Sequence, residues 1–76
     1  MKMIKVNSSN IESIGYEGND LIVQFKTGNI YKYFNVEKTL YENLLNSDSK
    51  GQFLNSFIKG NYKYSRLYLV EDLKIN

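Results

Sequence analysis

The stretch from Leu21 to Phe34 constrains what this chain can fold into more than any other part of it. Leu21, Val23 and Phe25 alternate with Ile22, Gln24 and Lys26, which is the period of a β-strand with two unlike faces. Thr27-Gly28-Asn29 interrupts the pattern, and Ile30 to Phe34 resumes a β-rich composition. A three-residue loop with glycine in the left-handed position makes a type I turn with a bulge, and such a turn sets the register. Val23 then faces Tyr31 and Leu21 faces Tyr33, with both rings on the core face and their hydroxyls at its rim. Upstream, Ile11 to Tyr16 reads as another strand, and Glu17-Gly18-Asn19-Asp20 as the turn that follows it.

The pattern changes at Val36. Leu40, Tyr41, Leu44 and Leu45 recur at helical spacing between Glu37 and Asn46, with Glu37 in the first turn. Asn46-Ser47-Asp48-Ser49 is dense in N-cap residues. A second helix carries Phe53, Leu54, Phe57 and Ile58 as its apolar stripe and stops at Gly60. Tyr62 to Val70 reads as a last strand or an extended arm, with Tyr62, Tyr64 and Tyr68 on a common side. The expected fold is α+β: a small antiparallel sheet in the order β-β-β-α-α-β packed on two short helices, one domain over residues 1–76. The hairpin is apolar on its second face as well, through Ile22, Ile30 and Phe34, and two short helices cover only one face. Self-association into a dimer or tetramer is therefore expected.

With 76 residues the chain lies near the lower limit for a core that is stable alone. It has no cysteine and no histidine. Disulfides, thiol nucleophiles, the usual zinc ligands and the usual neutral-pH base are thereby excluded together. The carboxylates of Glu12, Glu17, Asp20, Glu37, Glu42 and Asp48 fall in turns and on helix faces, where acids are normally solvated surface. No catalytic residue, metal or cofactor is expected, and a binding protein is preferred over an enzyme. No apolar run approaches the roughly 20 residues needed to cross a bilayer. The opening MKMIKVNSSN lacks the apolar segment of a secretion signal, so a cytoplasmic location is expected. A composition rich in Asn, Lys, Ile and Tyr, with no Ala, Pro or Trp, reflects AT-rich coding DNA, as in a low-GC bacterium or its phage.

The net charge of +2 is too small for a general polyanion binder, but it is unevenly spread. Lys50, Lys59, Lys63 and Arg66 fall between Ser49 and Val70 with no acidic residue, a local balance of +4. An edge built from that segment favours a phosphate-bearing partner. Ser49-Lys50-Gly51 opens the second helix, where backbone N–H groups attract anions; plain capping is the competing reading. The rings of Tyr31-Lys32-Tyr33 serve as core or as a stacking platform for a base, and one ring can do both. Ser8-Ser9-Asn10, near the Gly15-Tyr16 strand end, is either a polar lead-in or the lining of a pocket.

Taken in order, several of these residues form a pattern: Ser8-Ser9-Asn10-Ile11, Ile14-Gly15-Tyr16, Leu21-x-Val23-x-Phe25, Gly28, Tyr31-x-Tyr33, Val36, Leu45-Asn46, Ser49-Lys50-Gly51, Phe53, Ile58 and Tyr62. The pattern resembles the KTSC domain, a module named for its occurrence at the C-terminus of some lysyl-tRNA synthetases, over roughly residues 5 to 62. Three positions depart from the family: Glu37 where it tends to have Pro, Ser47 where it has Ala, and Lys59 where it has Arg. The last keeps the charge but loses the bidentate fork of Arg. The resemblance implies nucleic-acid or nucleotide binding, and some small phage proteins that look like this chain sequester cyclic nucleotide signals of bacterial immunity.

On that basis Ser8, Ser9, Tyr16, Tyr31, Tyr33, Ser49, Lys50, Gly51, Lys59, Tyr62 and Arg66 are the expected ligand-binding residues. The expected ligand is a cyclic di- or trinucleotide held by an oligomer. Stacking on tyrosine and ionic contacts from Lys50, Lys59 or Arg66 would supply the affinity. An RNA-binding accessory domain is the alternative; polymer binding usually needs an extended basic stripe, which the low net charge opposes. A protein-interaction module using Ile22, Ile30 and Phe34 is a third reading.

Overall fold

The structure, a computed structural model, describes residues 3–67. Five antiparallel strands form one sheet in sequential order: β1 (Met3–Lys5), β2 (Ile11–Glu17), β3 (Asp20–Phe25), β4 (Ile30–Tyr33) and β5 (Tyr64–Leu67). Between β4 and β5 lie α1 (Lys38–Asn46) and α2 (Lys50–Phe53), the latter running on into a π-helical turn, Leu54–Ile58. The fold is the expected α+β sheet with two short helices, but its order begins with a strand that the sequence pattern did not reveal. Met3–Lys5 pairs with Ser13–Gly15. Three residues are too few to display a period, so this strand is defined only by its partner.

The hairpin register is the one its turn demands: Leu21 opposes Tyr33 and Val23 opposes Tyr31. Gly28 has φ +99°, its N–H donates to the Phe25 carbonyl at 2.9 Å, and the Phe25 N–H donates to the Asn29 carbonyl at 2.8 Å. The β2–β3 pairing shifts register between Ile11 and Ser13. That irregularity leaves Glu12 as an extra residue, so Ile11 and Ile14, three apart, both reach the core.

The core lies between this face of the sheet and the helices. It joins Ile11, Ile14, Leu21, Val23 and Tyr33 of the strands with Val36, Leu44, Leu54 and Ile58. A nine-residue helix is marginal alone in water, so α1 is held by burial of Leu44 and by Leu40, Tyr41 and Leu45 packed beside it. Phe57 is 54% exposed and lies off the buried stripe of the second helix.

The expectation that the second hairpin face stays bare is corrected. Ile22 and Ile30 are 1% and 3% exposed, with Met3 of β1 and Leu67 of β5 packed against them. The unexpected strand and the last one supply the cover, so this face does not by itself call for a second subunit. The last strand is also shorter than the expected Tyr62 to Val70: Tyr62 precedes it, and Tyr68 lies outside the described residues.

Candidate functional site

The turn that closes the β3–β4 hairpin faces the second helix across an open trough of about 490 Å³. Thr27 and Asn29 flank Gly28 on the strand side, and Gly51, Leu54, Asn55 and Lys59 line it from the helix. Phe25 and Tyr31 form its aromatic wall and meet edge to face at 5.7 Å between centroids. The Lys59 ammonium lies 5.3 Å from the centre of the Phe25 ring, a cation–π contact. Lys59 follows the π-helical turn, where its N–H donates to the Leu54 carbonyl at 2.9 Å, and Gly60 with φ +82° ends the helix behind it.

A second cavity of about 340 Å³ adjoins the first, with Tyr31 and Lys59 lining both. Its remaining walls are Tyr33, Gly60 and Tyr64. Tyr64 stands against Tyr31 at 5.5 Å and Tyr33 at 5.8 Å, yet is 61% exposed, so one ring is free to stack on a planar ligand. Burial, with the neighbouring Tyr31 and Tyr64 phenols, pushes the Tyr33 phenol above its usual range, so it is a neutral hydroxyl at any physiological pH. A third, polar cavity of about 390 Å³ shares Ser9, Asn10 and Gly51 with the trough. Among the described residues no carboxylate lines the first two cavities, and Asp48 is the one acid lining the third.

The structure thus brings together most of the residues singled out in the sequence: Ser8, Ser9, Tyr31, Tyr33, Ser49, Lys50, Gly51 and Lys59 line one or another of these adjoining cavities. Several of them have structural partners as well. The Ser8 hydroxyl accepts the N–H groups of Asn10 and Ile11. The Ser47 hydroxyl accepts the Ser49 N–H, and the Ser49 side chain makes no cap. The Lys50 ammonium donates to the Ser47 carbonyl at 2.9 Å, so it closes the end of α1.

Tyr16 and Tyr62 line none of these three cavities. Tyr16 stacks on Tyr41 at 4.8 Å and donates its hydroxyl to the Val36 carbonyl at 2.5 Å, a core role. Tyr62 donates to the Glu37 carboxylate at 2.7 Å, which holds that carboxyl below its usual value and its own phenol above. Arg66 stands opposite Tyr31 on β5, on the same face of the sheet, and donates to the side-chain oxygen of Asn29, which lines the trough, at 2.7 Å. The lining residues that the sequence did not single out are Phe25, Lys26, Thr27, Asn29, Leu54, Asn55, Gly60 and Tyr64; Asn10 belongs to the Ser8-Ser9-Asn10 segment already read as pocket lining or polar lead-in. The alternation of β3 placed Phe25 on the core face, but only the fold puts it beside Lys59.

Among the described residues no group of three or more acidic residues is placed to hold a metal, and no helix is long and apolar enough to cross a membrane. The KTSC domain family model matches residues 7–62. The lysine–tRNA ligases of Trichormus variabilis and Nostoc punctiforme are 40% and 39% identical to the chain over 67 residues, 86% of its length. The chain spans only 12% of the length of those ligases. A protein of Stutzerimonas stutzeri is 34% identical over 70 residues, covering 88% of this chain and 99% of its own. The crystal structure of a KTSC domain protein from Yersinia pestis superposes with a TM-score of 0.83 at 34% identity, covering 87% of this chain and 96% of that one. From residues 7 to 62 the sequence carries the family's pattern and the sheet and helices carry its fold: the chain belongs to the KTSC domain family.

Proposed function

We propose that the chain is a non-catalytic binding module whose trough takes a small nucleotide ligand of the cyclic di- or trinucleotide class. The observation that carries the reading is that two adjoining cavities share Tyr31 and Lys59 and, among the described residues, are lined by rings, amides and lysines without a carboxylate. A base stacks on aromatic rings without regard to sequence, and a phosphate takes charge-assisted hydrogen bonds from an ammonium. Volumes of about 490 and 340 Å³ suit a compact ligand, and ligand pockets usually measure about 300–1,000 Å³.

The low net charge of +2 supports a ligand with few phosphates over a long polymer. Sequestration by a dimer or tetramer is the finer form of this proposal. Its support is the exposed ring of Phe57, outside the trough, now that the second hairpin face is covered.

A second reading, an RNA-binding accessory domain, is favoured by the relatives that are lysine–tRNA ligases. Calorimetric titration at fixed salt separates the two. A cyclic dinucleotide should bind the parent, and Lys59→Ala should weaken it by roughly tenfold, the scale of a lost charge-assisted hydrogen bond. Binding of oligoribonucleotides with a steep salt dependence, and none of the cyclic ligands, would select the RNA reading. No binding of either removes both.

A further inference from the structure

Asn10 joins the trough to the polar cavity beside it and lines both. Its backbone is pinned from two sides: its N–H donates to the Ser8 hydroxyl at 3.3 Å, and its carbonyl accepts the Lys26 N–H at 2.9 Å. The irregularity in the β2–β3 pairing begins one residue further on, at Ile11, and bulges of this kind re-aim neighbouring side chains at binding sites. The backbone is therefore committed, but the side chain is not. The carboxamide makes no hydrogen bond with any described residue, although it carries two donors and an acceptor.

Space for that amide comes from Gly51. A Cβ built there would lie 3.2 Å from the Asn10 side-chain nitrogen, tighter than most real contacts, so the amide would have to give way by a few tenths of an ångström. Gly51 sits in α2 and its φ is not positive, so the helix itself does not require glycine. Its missing side chain has a local consequence for Asn10.

We propose that the Asn10 carboxamide is the specificity-determining group of the trough, reading the base of the nucleotide through a paired donor–acceptor contact, and that Gly51 is the residue that leaves it room. The inference rests on the nucleotide-binding reading above and deepens it. A carboxamide presents one donor beside one acceptor. The complementary edge is that of adenine, with its N6 amino group beside N7. The corresponding edge of guanine offers two acceptors and suits a lysine or arginine better. The ligand is therefore an adenine-bearing nucleotide, its base plane against the aromatic wall and its edge toward Asn10.

The test is titration of cyclic di-AMP and cyclic di-GMP into the parent, Asn10→Ala, Asn10→Asp and Gly51→Ala, with a melting curve for each. The parent should prefer the adenine ligand by roughly tenfold or more, the discrimination of one bidentate pair. Asn10→Ala should abolish that preference. Asn10→Asp should weaken adenine binding, since a carboxylate accepts from N6 but cannot donate to N7. Gly51→Ala should weaken adenine binding likewise while its Tm holds or rises, because alanine is the better helix former. A purely structural role for Gly51 predicts a fall in Tm together with affinity, which would overturn its part of the proposal. A parent that binds both ligands equally or prefers guanine, an Asn10→Ala protein that keeps the adenine preference, or an Asn10→Asp protein with undiminished adenine affinity overturns the part assigned to Asn10 while the nucleotide reading stands. A parent that binds neither ligand removes the inference together with that reading.

Discussion

Gly28→Ala tests the hairpin on which the trough is built. The residue sits at φ +99°, and no described residue lies within 4 Å of a Cβ built there, so steric contact with the described residues does not contribute. The cost is that of the backbone alone, about 1–2 kcal/mol for an L-residue in the left-handed region. Alanine also narrows the unfolded ensemble, which offsets about 0.4–1 kcal/mol where the native conformation is compatible, but here it is not. A net loss on the order of 1–2 kcal/mol is expected. For a domain of this size about 4–8 °C of Tm accompanies each kcal/mol, so thermal melting followed by circular dichroism should show a drop of roughly 5–15 °C. Gly28→Asn should recover part of the loss, since asparagine tolerates positive φ better than alanine. A Gly28→Ala protein that melts within about 2 °C of the parent would refute the reasoning, because the turn would then not need its left-handed residue. Thr27 and Asn29 line the trough, so the same variant should also weaken ligand binding measured well below its melt.

Leu54→Ala, at a position 1% exposed, should cost about 2–5 kcal/mol in urea unfolding, and a loss under about 1 kcal/mol would contradict its place in the core. Tyr16→Phe removes the hydroxyl donated to the Val36 carbonyl and should lower stability by about 1 kcal/mol with ligand affinity unchanged; reduced affinity would return Tyr16 to the site. Glu37, its folded pKa lowered by the Tyr62 hydroxyl, contributes stability that is present above its unfolded pKa and lost as pH falls through the folded one. Tyr62→Phe should raise the Glu37 carboxyl toward its ordinary value in an NMR titration, and an unmoved titration would show that the bond is not formed in solution. Light scattering with and without a cyclic dinucleotide measures assembly, and a monomer at high micromolar concentration in both states would remove the dimer or tetramer.

The hairpin register was legible in the sequence because everything that sets it is local. Side-chain alternation along Leu21 to Phe25 and a left-handed glycine in a three-residue turn leave one pairing that keeps the apolar faces aligned. The α1 stripe was legible for the same reason, since its period lies within nine residues. Met3–Lys5 was not, because a strand of three residues exists only through its partner, and with it went the cover over Ile22 and Ile30.

The tyrosines show the division most clearly. Composition and alternation marked them as amphipathic rings, yet Tyr16 packs in the core, Tyr62 ties down a loop, and Tyr31 and Tyr64 line a cavity. Tyr62 meets a carboxylate 25 positions away in sequence, and Tyr16 a carbonyl 20 positions away. Phe25 meets Lys59 in the same long-range fashion. A ring's chemistry is intrinsic to the residue, and its period along the chain decides only which side of an element it occupies. Whether it closes the core, anchors a loop or stands open to a ligand depends on which distant segment packs against it, and that was decided by the tertiary fold.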